Sequence, residues 1–399
     1  MGTVPRLLRV GFSDVPGLPD LEVDLGSITA LIGPRGSGKS QFLAAIAWLL
    51  RGRPAIAFRP PTATGPGHPP RVRGTVEVGR SRRVIERRLG HRLRQIGREP
   101  VPRASAPGPR LEVPSCSLLR ARDRLAPELH PDGVVARALS RTVGRATSDA
   151  VAAEALLRVV EACCEECVAG EVLLIEEPEL QLTPQAQRYL YSLLRRFAEA
   201  GNQVLYSTRS AAFVDAARHD EIVRLDLAPA GTVLRRTEPA TLSDHDRVRL
   251  AAEFDHERSE MFFARTVVLV EGQTERIALP LVFRALGHEP DAEGIAITEV
   301  GGKSNIPLAA QLLRQLGIPF VVVFDADRGP ESRALDERIR QAAAGAPVVR
   351  LDPDFEAVTG LSTHDDKVFQ AWRRFAAGEA PRIPAALRRI VEATVALGR

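Results

Sequence analysis

Short runs of consecutive apolar β-formers, most of them ending on a polar or charged residue, dominate the pattern of this chain. Residues 27–32 (SITALI), 171–175 (EVLLI), 203–207 (QVLYS), 267–270 (VVLV), 295–300, 319–324 (PFVVVF) and 347–351 are of this kind. Apolar runs this short, bounded by turn formers, predict strands buried on both faces, as in a parallel sheet covered by helices. Helical stretches are predicted over 41–50, 149–167, 307–316 and 365–375, with Ser148 placed to cap the second. Two shorter strands are expected at 7–12 and 21–25, and a helix at 246–254 within a polar connector. Strands alternating with helices mean an α/β protein, and 399 residues are enough for two domains. The expected division is 1–235, a helical linker 236–262, and a second domain 263–399 ending in helices.

The ends of these strands hold the candidate chemistry. Strand 27–32 runs into Gly33-Pro34-Arg35-Gly36-Ser37-Gly38-Lys39-Ser40 and then a helix starting at Gln41. This is G-x-x-x-x-G-K-S between a strand and a helix, the setting that makes a phosphate-binding loop credible. Backbone N–H groups at the helix start would cradle the phosphates of ATP. Lys39 would reach the β- and γ-phosphates, and the Ser40 hydroxyl would ligate Mg²⁺. Strand 171–175 ends in Glu176-Glu177-Pro178-Glu179. An acid at the strand end suits Mg²⁺ and the next acid suits water activation, so Glu176 is expected as the metal-side acid and Glu177 as the catalytic one. Strand 203–207 ends in Thr208-Arg209-Ser210.

Together these motifs resemble the ABC-type ATPase head of SMC, RecF and OLD (overcoming lysogenisation defect) proteins. In that family the last strand usually ends in Ser-Thr-His, where the His senses the γ-phosphate; Arg209 stands at that position here. The family's Ser-Gly signature is also missing, and residues 145–150, with Ser148, occupy its place. The resemblance implies ATP binding more directly than ATP turnover. It also implies association through the heads, as a homodimer or higher oligomer. No heptad pattern separates the phosphate loop from Glu176, which argues against a long coiled-coil tether.

In the second half the strand-end acids recur. Strand 267–270 ends in Glu271, and Glu275 follows one helical turn later if a helix starts after Gly272. Strand 319–324 ends in Asp325-Ala326-Asp327. Clustered carboxylates repel one another without a cation, and their oxygens suit Mg²⁺ or Mn²⁺. Residues 265–372 in this order resemble the Toprim domain of topoisomerases, primases and some nucleases. No tyrosine in this half is available as a nucleophile, which excludes a topoisomerase. No zinc-ribbon spacing supports a primase. Nearly the whole chain resembles the OLD family, which pairs an ATPase head with a Toprim domain carrying V-E-G-x-T-E, a Gly-Gly segment, D-x-D, a later acid and a helical lysine. That resemblance makes Glu356 the later acid and Lys367 the lysine. It implies a metal-dependent DNA nuclease holding cations at Glu271, Glu275, Asp325, Asp327 and Glu356, with a role in bacterial defence against phage and a partner protein from a neighbouring gene. A non-catalytic, ATP-gated DNA-binding sensor of RecF-like type is the alternative.

Composition sharpens three points. Lysine occurs three times, at Lys39, Lys303 and Lys367, and arginine supplies the rest of the 54 basic residues. Lysine therefore survives where a compact ammonium is wanted and a guanidinium will not serve. Lys303 follows Gly301-Gly302 and reads either as a phosphate-reaching turn lysine or as part of an ordinary strand-to-helix loop. Arginines over 73–89 form either a phosphate-backbone footprint or a solvated basic hairpin. The cysteine cluster at 163–167 fits helix packing better than a disulfide framework, with a zinc site as the other reading. No run of 18 apolar residues occurs, so a soluble, cytoplasmic protein without membrane contact is expected.

Overall fold

The apolar strand runs form two separate parallel sheets, one in each half of the chain. In this computed structural model the described residues are 4–52, 69–79, 81–88, 92–99, 114–120, 149–165, 169–229, 231–327, 329–362, 366–376 and 383–398. The chain divides into two compact units, Met1–Phe213 with Glu221–Leu234, and Val214–Asp220 with Arg235–Arg399.

The first unit runs β1 (Arg6–Ser13), β2 (Leu21–Asp24), β3 (Ile28–Ile32), α1 (Lys39–Arg51), β4 (Arg71–Val78), β5 (Ser81–Arg88), β6 (Arg94–Glu99), β7 (Ser115–Arg120), α2 (Asp149–Glu165), β8 (Glu171–Glu176), α3 (Pro184–Glu199), β9 (Gln203–Ser207), β10 (Ile222–Ala228) and β11 (Gly231–Arg236). Among the described residues, β2-β1-β4-β5-β6 form an antiparallel sheet. A second sheet has the order β11-β10-β3-β9-β8-β7, with β10, β3, β9, β8 and β7 parallel. Helix α1 is buried from Phe42 to Leu50 because it is apolar on every face. It shares one core with side chains from both sheets. Helices α2 and α3 cover the other face of the parallel sheet through Leu156, Val160, Leu190, Leu194 and Phe197.

The Gln203 side chain joins the two sheets. It is buried at the start of β9, accepts the Leu7 N–H at 2.7 Å and donates to the Leu7 carbonyl at 2.9 Å. It thus pairs with β1 as a backbone strand would.

The arginine hairpin is β4–β5, and several of its arginines have protein partners while Arg73, Arg82 and Arg88 stay about half exposed. Buried Glu86 accepts from Arg73 at 2.7 Å and from Arg88. Arg82 pairs with Glu77, and buried Arg87 donates to the Leu49 carbonyl at 3.1 Å. Cys163 and Cys164 lie on α2, Cys163 buried and Cys164 donating to the Leu193 carbonyl. Cys167 and the signature segment up to Ser148 fall outside the described residues.

The second unit runs α4 (Asp244–Glu253), β12 (Thr266–Val270), α5 (Gln273–Ala285), α6 (Pro290–Glu293), β13 (Ile295–Glu299), α7 (Ile306–Gln315), β14 (Phe320–Asp325), α8 (Pro330–Ala343), β15 (Val348–Leu351), α9 (Phe355–Thr359), α10 (Lys367–Ala376) and α11 (Ala385–Leu397). The stretch read as a linker folds as part of this unit. Its α4 starts with a reciprocal cap between Ser243 and Asp246, and Arg247 binds Asp220 at 2.8 Å. The sheet order is β13-β12-β14-β15, all parallel. Helices α5, α10 and α11 share an apolar core with the sheet, and α7 is buried along most of its length. Since β12 precedes both its neighbours β13 and β14, the order reverses at β12. Ligands in such sheets bind beyond the carboxyl ends of the strands at that switch point.

Replacing Gln203 by Ala would strand two buried backbone groups of β1. Each orphaned group costs about 1–3 kcal/mol, so Gln203→Ala is expected to destabilise the first unit by roughly 2–4 kcal/mol. Denaturant unfolding followed by far-UV circular dichroism reads this as a lower midpoint at unchanged slope. An unchanged midpoint would remove the side chain's bridging role.

Candidate nucleotide pocket and acidic site

The loop between β3 and α1 needs glycine for steric reasons. Gly33 (φ 130°) and Gly38 (φ 92°) are left-handed, and a Cβ on Gly38 would lie 2.6 Å from the Gly17 carbonyl oxygen. The open pocket around the loop is lined by Gly17, Arg35, Gly36, Gly38, Lys39, Ser40, Gln41, Glu176, Glu177, Ser207 and Arg209. Of the expected nucleotide set only Gly33, Pro34 and Ser37 are not in this lining. Gly33 and Pro34 offer carbonyls to Lys39 Nζ at 2.7 Å each, and Ser37 is buried. Burial first, then the Arg209 charge, lowers the Lys39 pKa to about 8. A polyphosphate would supply the compensating negative charge, so these residues fit ATP.

Glu176 ends β8 beside Ser207, and Glu177 is left-handed at φ 49°, with its N–H on the Ser207 carbonyl. Arg209 closes on Glu177 at 3.1 Å. Its position is held by Glu179, whose carboxylate accepts the Arg209 N–H at 2.8 Å and the Thr208 hydroxyl at 2.9 Å. Glu179 was visible in the sequence as the last acid of EEPE, but nothing local marks it as the fastener of the next strand's end.

In the second unit the strand ends bring the acids together. Glu271 follows β12, and its Oε1 accepts the Asp325 N–H at 2.7 Å from the end of β14. Asp325 Oδ1 accepts the Phe355 N–H at 3.0 Å, which attaches the start of α9. Asp354 caps α9, and buried Glu356 sits in its first turn. Glu275 is buried in the first turn of α5. Burial pushes Asp325 up to about 8, and Glu275, Glu271, Glu356 and Asp354 add repulsion. Burial likewise pushes Glu275 up to about 7, reinforced by Glu271 and Glu356, and raises Glu271.

Two lysines answer this charge in different ways. Lys367, first residue of α10, binds Glu356 at 2.8 Å and is partly exposed. Lys303 is buried and takes four partners: the Asp325 carbonyl at 2.6 Å, Asp327 at 3.1 Å, Ser332 at 3.2 Å and Asp336 at 2.8 Å. Burial works against its charge, but Asp336 and Asp327 outweigh it and hold its pKa above the ordinary lysine value. Lys303 is therefore a strut beneath the Asp325–Asp327 loop, not a phosphate-reaching side chain; the turn that holds it leads the ammonium inward. Asp336 was not foreseen. It is a buried carboxylate on α8, in phase with buried Ile339 and Ala343, and also takes Arg350 at 3.2 Å. A charged residue on the apolar face of a helix was the available signal.

As they stand, among the described residues, no three His, Cys, Asp or Glu side chains are arranged to hold a metal ion. Three of the acids contact protein partners: Asp327 is paired with Lys303, Glu356 with Lys367, and Glu271 accepts the Asp325 amide. The donor set nevertheless fits a hard divalent cation, being all carboxylate, crowded and half desolvated. Among the described residues no helix is long and apolar enough to cross a membrane.

Comparison with known proteins follows the same division. A family model described as overcoming lysogenization defect protein-like, TOPRIM domain, matches residues 262–327. A model of an AAA domain matches residues 155–215. The chain is 36% identical over 246 residues to the OLD nuclease of Thermus scotoductus, spanning 55% of this chain and 47% of that protein. It is 29% identical over 160 residues to the Old nuclease of Escherichia phage P2, spanning 39% and 27%. The chain thus spans less than half the length of these curated relatives. Among solved structures it is similar to the SMC head domain from Thermotoga maritima, at 13% identity and a TM-score of 0.38, covering 58% of this chain and 99% of that one.

The acidic cluster sets a sign for the pH dependence of stability without metal. Asp325 and Glu275 hold protons in the folded chain at pH values where the unfolded chain, with ordinary values of 3.8 and 4.5, has released them. The folded state binds more protons there, so stability falls as pH rises. In chelator, thermal unfolding of the second unit should move to lower temperature between about pH 5 and pH 8. Asp325→Asn, which keeps an oxygen for the Phe355 N–H, should reduce that slope. A slope unaffected by the substitution would mean that the cluster does not govern it.

Proposed function

We propose that this chain, which belongs to the OLD family, is an ATP-binding, divalent-metal-dependent DNA endonuclease whose ATPase head gates a Toprim nuclease site. The observation that carries this is the meeting of Glu271, Glu275, Asp325 and Glu356 at one switch point, with Asp325 and Glu275 pushed up to about 8 and 7. A hydrolase site of this kind needs cations, and a cation would favour the charged forms of Asp325 and Glu275. Glu271, Glu275, Asp325, Asp327 and Glu356 would hold Mg²⁺ or Mn²⁺. When bound, such ions supply Lewis-acid charge for phosphodiester hydrolysis. Lys367, partly exposed beside Glu356, is placed to answer negative charge developing on the phosphate. Lys303 acts by positioning the Asp325–Asp327 loop.

In the head, Gly33, Pro34, Arg35, Gly36, Ser37, Gly38, Lys39, Ser40 and Gln41 would hold ATP, with Ser40 and Glu176 on its Mg²⁺ side. Glu177 is the acid placed to orient water, and Arg209 restrains it through the 3.1 Å pair. Heads of this kind act in pairs, so a homodimer or a higher oligomer is the working form. Defence against phage, with a partner protein encoded nearby, is the role its relatives' family suggests.

A second reading has its own observation in favour. The Arg209–Glu177 pair and the inward Lys39 suit a slow switch, and a slow switch also suits a non-catalytic, ATP-gated DNA sensor.

Supercoiled plasmid incubated with Mg²⁺ or Mn²⁺, with and without ATP, separates the two. Nicking or linearisation is expected, reduced at least 100-fold, roughly, by joint Asp325→Ala and Asp327→Ala substitution, with DNA binding retained. Absence of cleavage with either metal, DNA still bound, would sink the nuclease and favour the sensor.

For the head, Glu177→Gln should keep ATP affinity and slow hydrolysis by about ten-fold or more. Lys39→Ala should lose ATP binding. Equal hydrolysis by the Glu177 variant would take the water-orienting role from that residue.

A further inference from the structure

Exposed large apolar side chains among the described residues are mostly scattered singly: Ile96, Tyr189, Leu227, Val248 and Leu397. Isolated exposure of this kind is normal and signifies nothing. Helix α10 is different. Phe369 and Trp372 are 54% and 52% exposed, one helical turn apart, with ring centroids 6.3 Å apart and planes within 25°. The helix does not need them for its own packing, since Ala371 and Phe375 are the residues it buries. Two large rings therefore stand side by side in water on a helix that already has an apolar face.

The chemistry of the helix says what would cover them. Its ten residues, KVFQAWRRFA, include Lys367, Arg373 and Arg374 and no acid. Arg373 has no carboxylate partner among the described residues, and Arg374 lies over the Phe375 ring. An apolar protein partner would have to desolvate those cations, whereas a nucleic-acid strand offers both a phosphate for each cation and a flat base for the rings. Place points the same way. The helix begins at Lys367, which is bound to Glu356 of the acidic cluster. Trp372 is five residues further on, about 7.5 Å along the axis and about 140° around it, so a strand lying on the rings must curve round the start of the helix to reach the cluster.

We infer that the Phe369–Trp372 pair is a stacking platform for an unpaired base of the DNA strand entering the acidic site. Arg373 and Arg374 take that strand's backbone. The site consequently prefers single-stranded or frayed DNA over intact duplex, because only an unstacked base can lie on the rings. The inference rests on the acidic cluster being a DNA-acting site and adds to it the form of DNA that enters.

The chain has two tryptophans, Trp372 and Trp48, and Trp48 is buried in the other unit. In a full-length Trp48→Phe protein, Trp372 is thus the sole reporter, and the face itself is untouched. The measurement is its emission in chelator, so that no cleavage occurs, during titration with a single-stranded oligonucleotide, the same length of abasic strand, and a blunt duplex. Quenching by the base-bearing strand, and not by the abasic strand or the duplex, is expected. Joint Phe369→Ala and Trp372→Ala substitution should weaken single-strand binding roughly ten-fold while duplex binding changes less than about two-fold. Equal quenching by the abasic strand would overturn stacking. So would unchanged single-strand affinity in the double variant. A fall in the oligomeric mass of the variant with DNA affinity intact would also overturn the inference and assign the face to contact between copies. Because binding is read without metal, quenching in a protein that cleaves nothing would uphold the platform while the nuclease falls.

Discussion

The acidic edge of the second unit is tied together by one hydrogen bond, from the Asp325 amide to the Glu271 carboxylate, 2.7 Å long. It crosses from the end of β14 to the end of β12 at the point where strand order reverses. Parallel strands bring their carboxyl ends to one edge, but they do not by themselves bring acids into contact, and like charges there repel. The amide of one acidic motif satisfies the carboxylate of the other. The Asp325 carboxylate in turn takes the Phe355 amide and so sets the start of α9, where Glu356 stands. Three chain segments, separated by tens of residues, are attached in series through backbone donors. Burial and mutual repulsion then raise Asp325 and Glu275, and a divalent cation among them would favour their ionised forms.

The use of lysine follows from the same constraint. All three lysines of an arginine-rich chain lie in the two candidate sites. Lys303 shows why arginine would not substitute. Its ammonium is enclosed by a carbonyl, a hydroxyl and two carboxylates around one nitrogen, with the Phe324 ring 4.9 Å away. A planar guanidinium spreads its donors over a fork and would not fit that enclosure. Lys39 is similarly inward, on two carbonyls of its own loop. Compositional scarcity singled out lysines that stand beside the two candidate sites, yet it did not distinguish a strut from a side chain open to substrate.

That difference marks how far the residues alone could be read. The parallel sheets, the phosphate loop, and the placing of Glu271 and Asp325 at strand ends were legible, because each follows from local pattern and strand polarity, whereas Glu356 was reached only through the family resemblance. Features set by distant contacts were not. Asp336 reaches Lys303 only through the packing of α8, and Glu179 reaches Arg209 only because β8 and β9 are neighbours. The arginine hairpin was legible as a hairpin, but the burial of Glu86 and Arg87 within it is a property of packing. The residues past β11 looked like a linker because they are polar; the Arg247–Asp220 pair and the Ser243 cap fold them into the second unit despite that.

The head shows the converse case, where one substitution changes the meaning of an otherwise regular motif. At the end of β9, a histidine would be a short, neutral or singly charged sensor. Arg209 is longer, permanently charged and fork-shaped, and it spans the distance to Glu177. Its N–H and its neighbour Thr208 are both held by Glu179, so the side chain starts from a fixed point. A γ-phosphate entering the pocket would compete with Glu177 for the same guanidinium, and the acid would be released only when nucleotide is in place. Under the proposed function, that competition would make the freedom of Glu177 depend on occupancy of the loop.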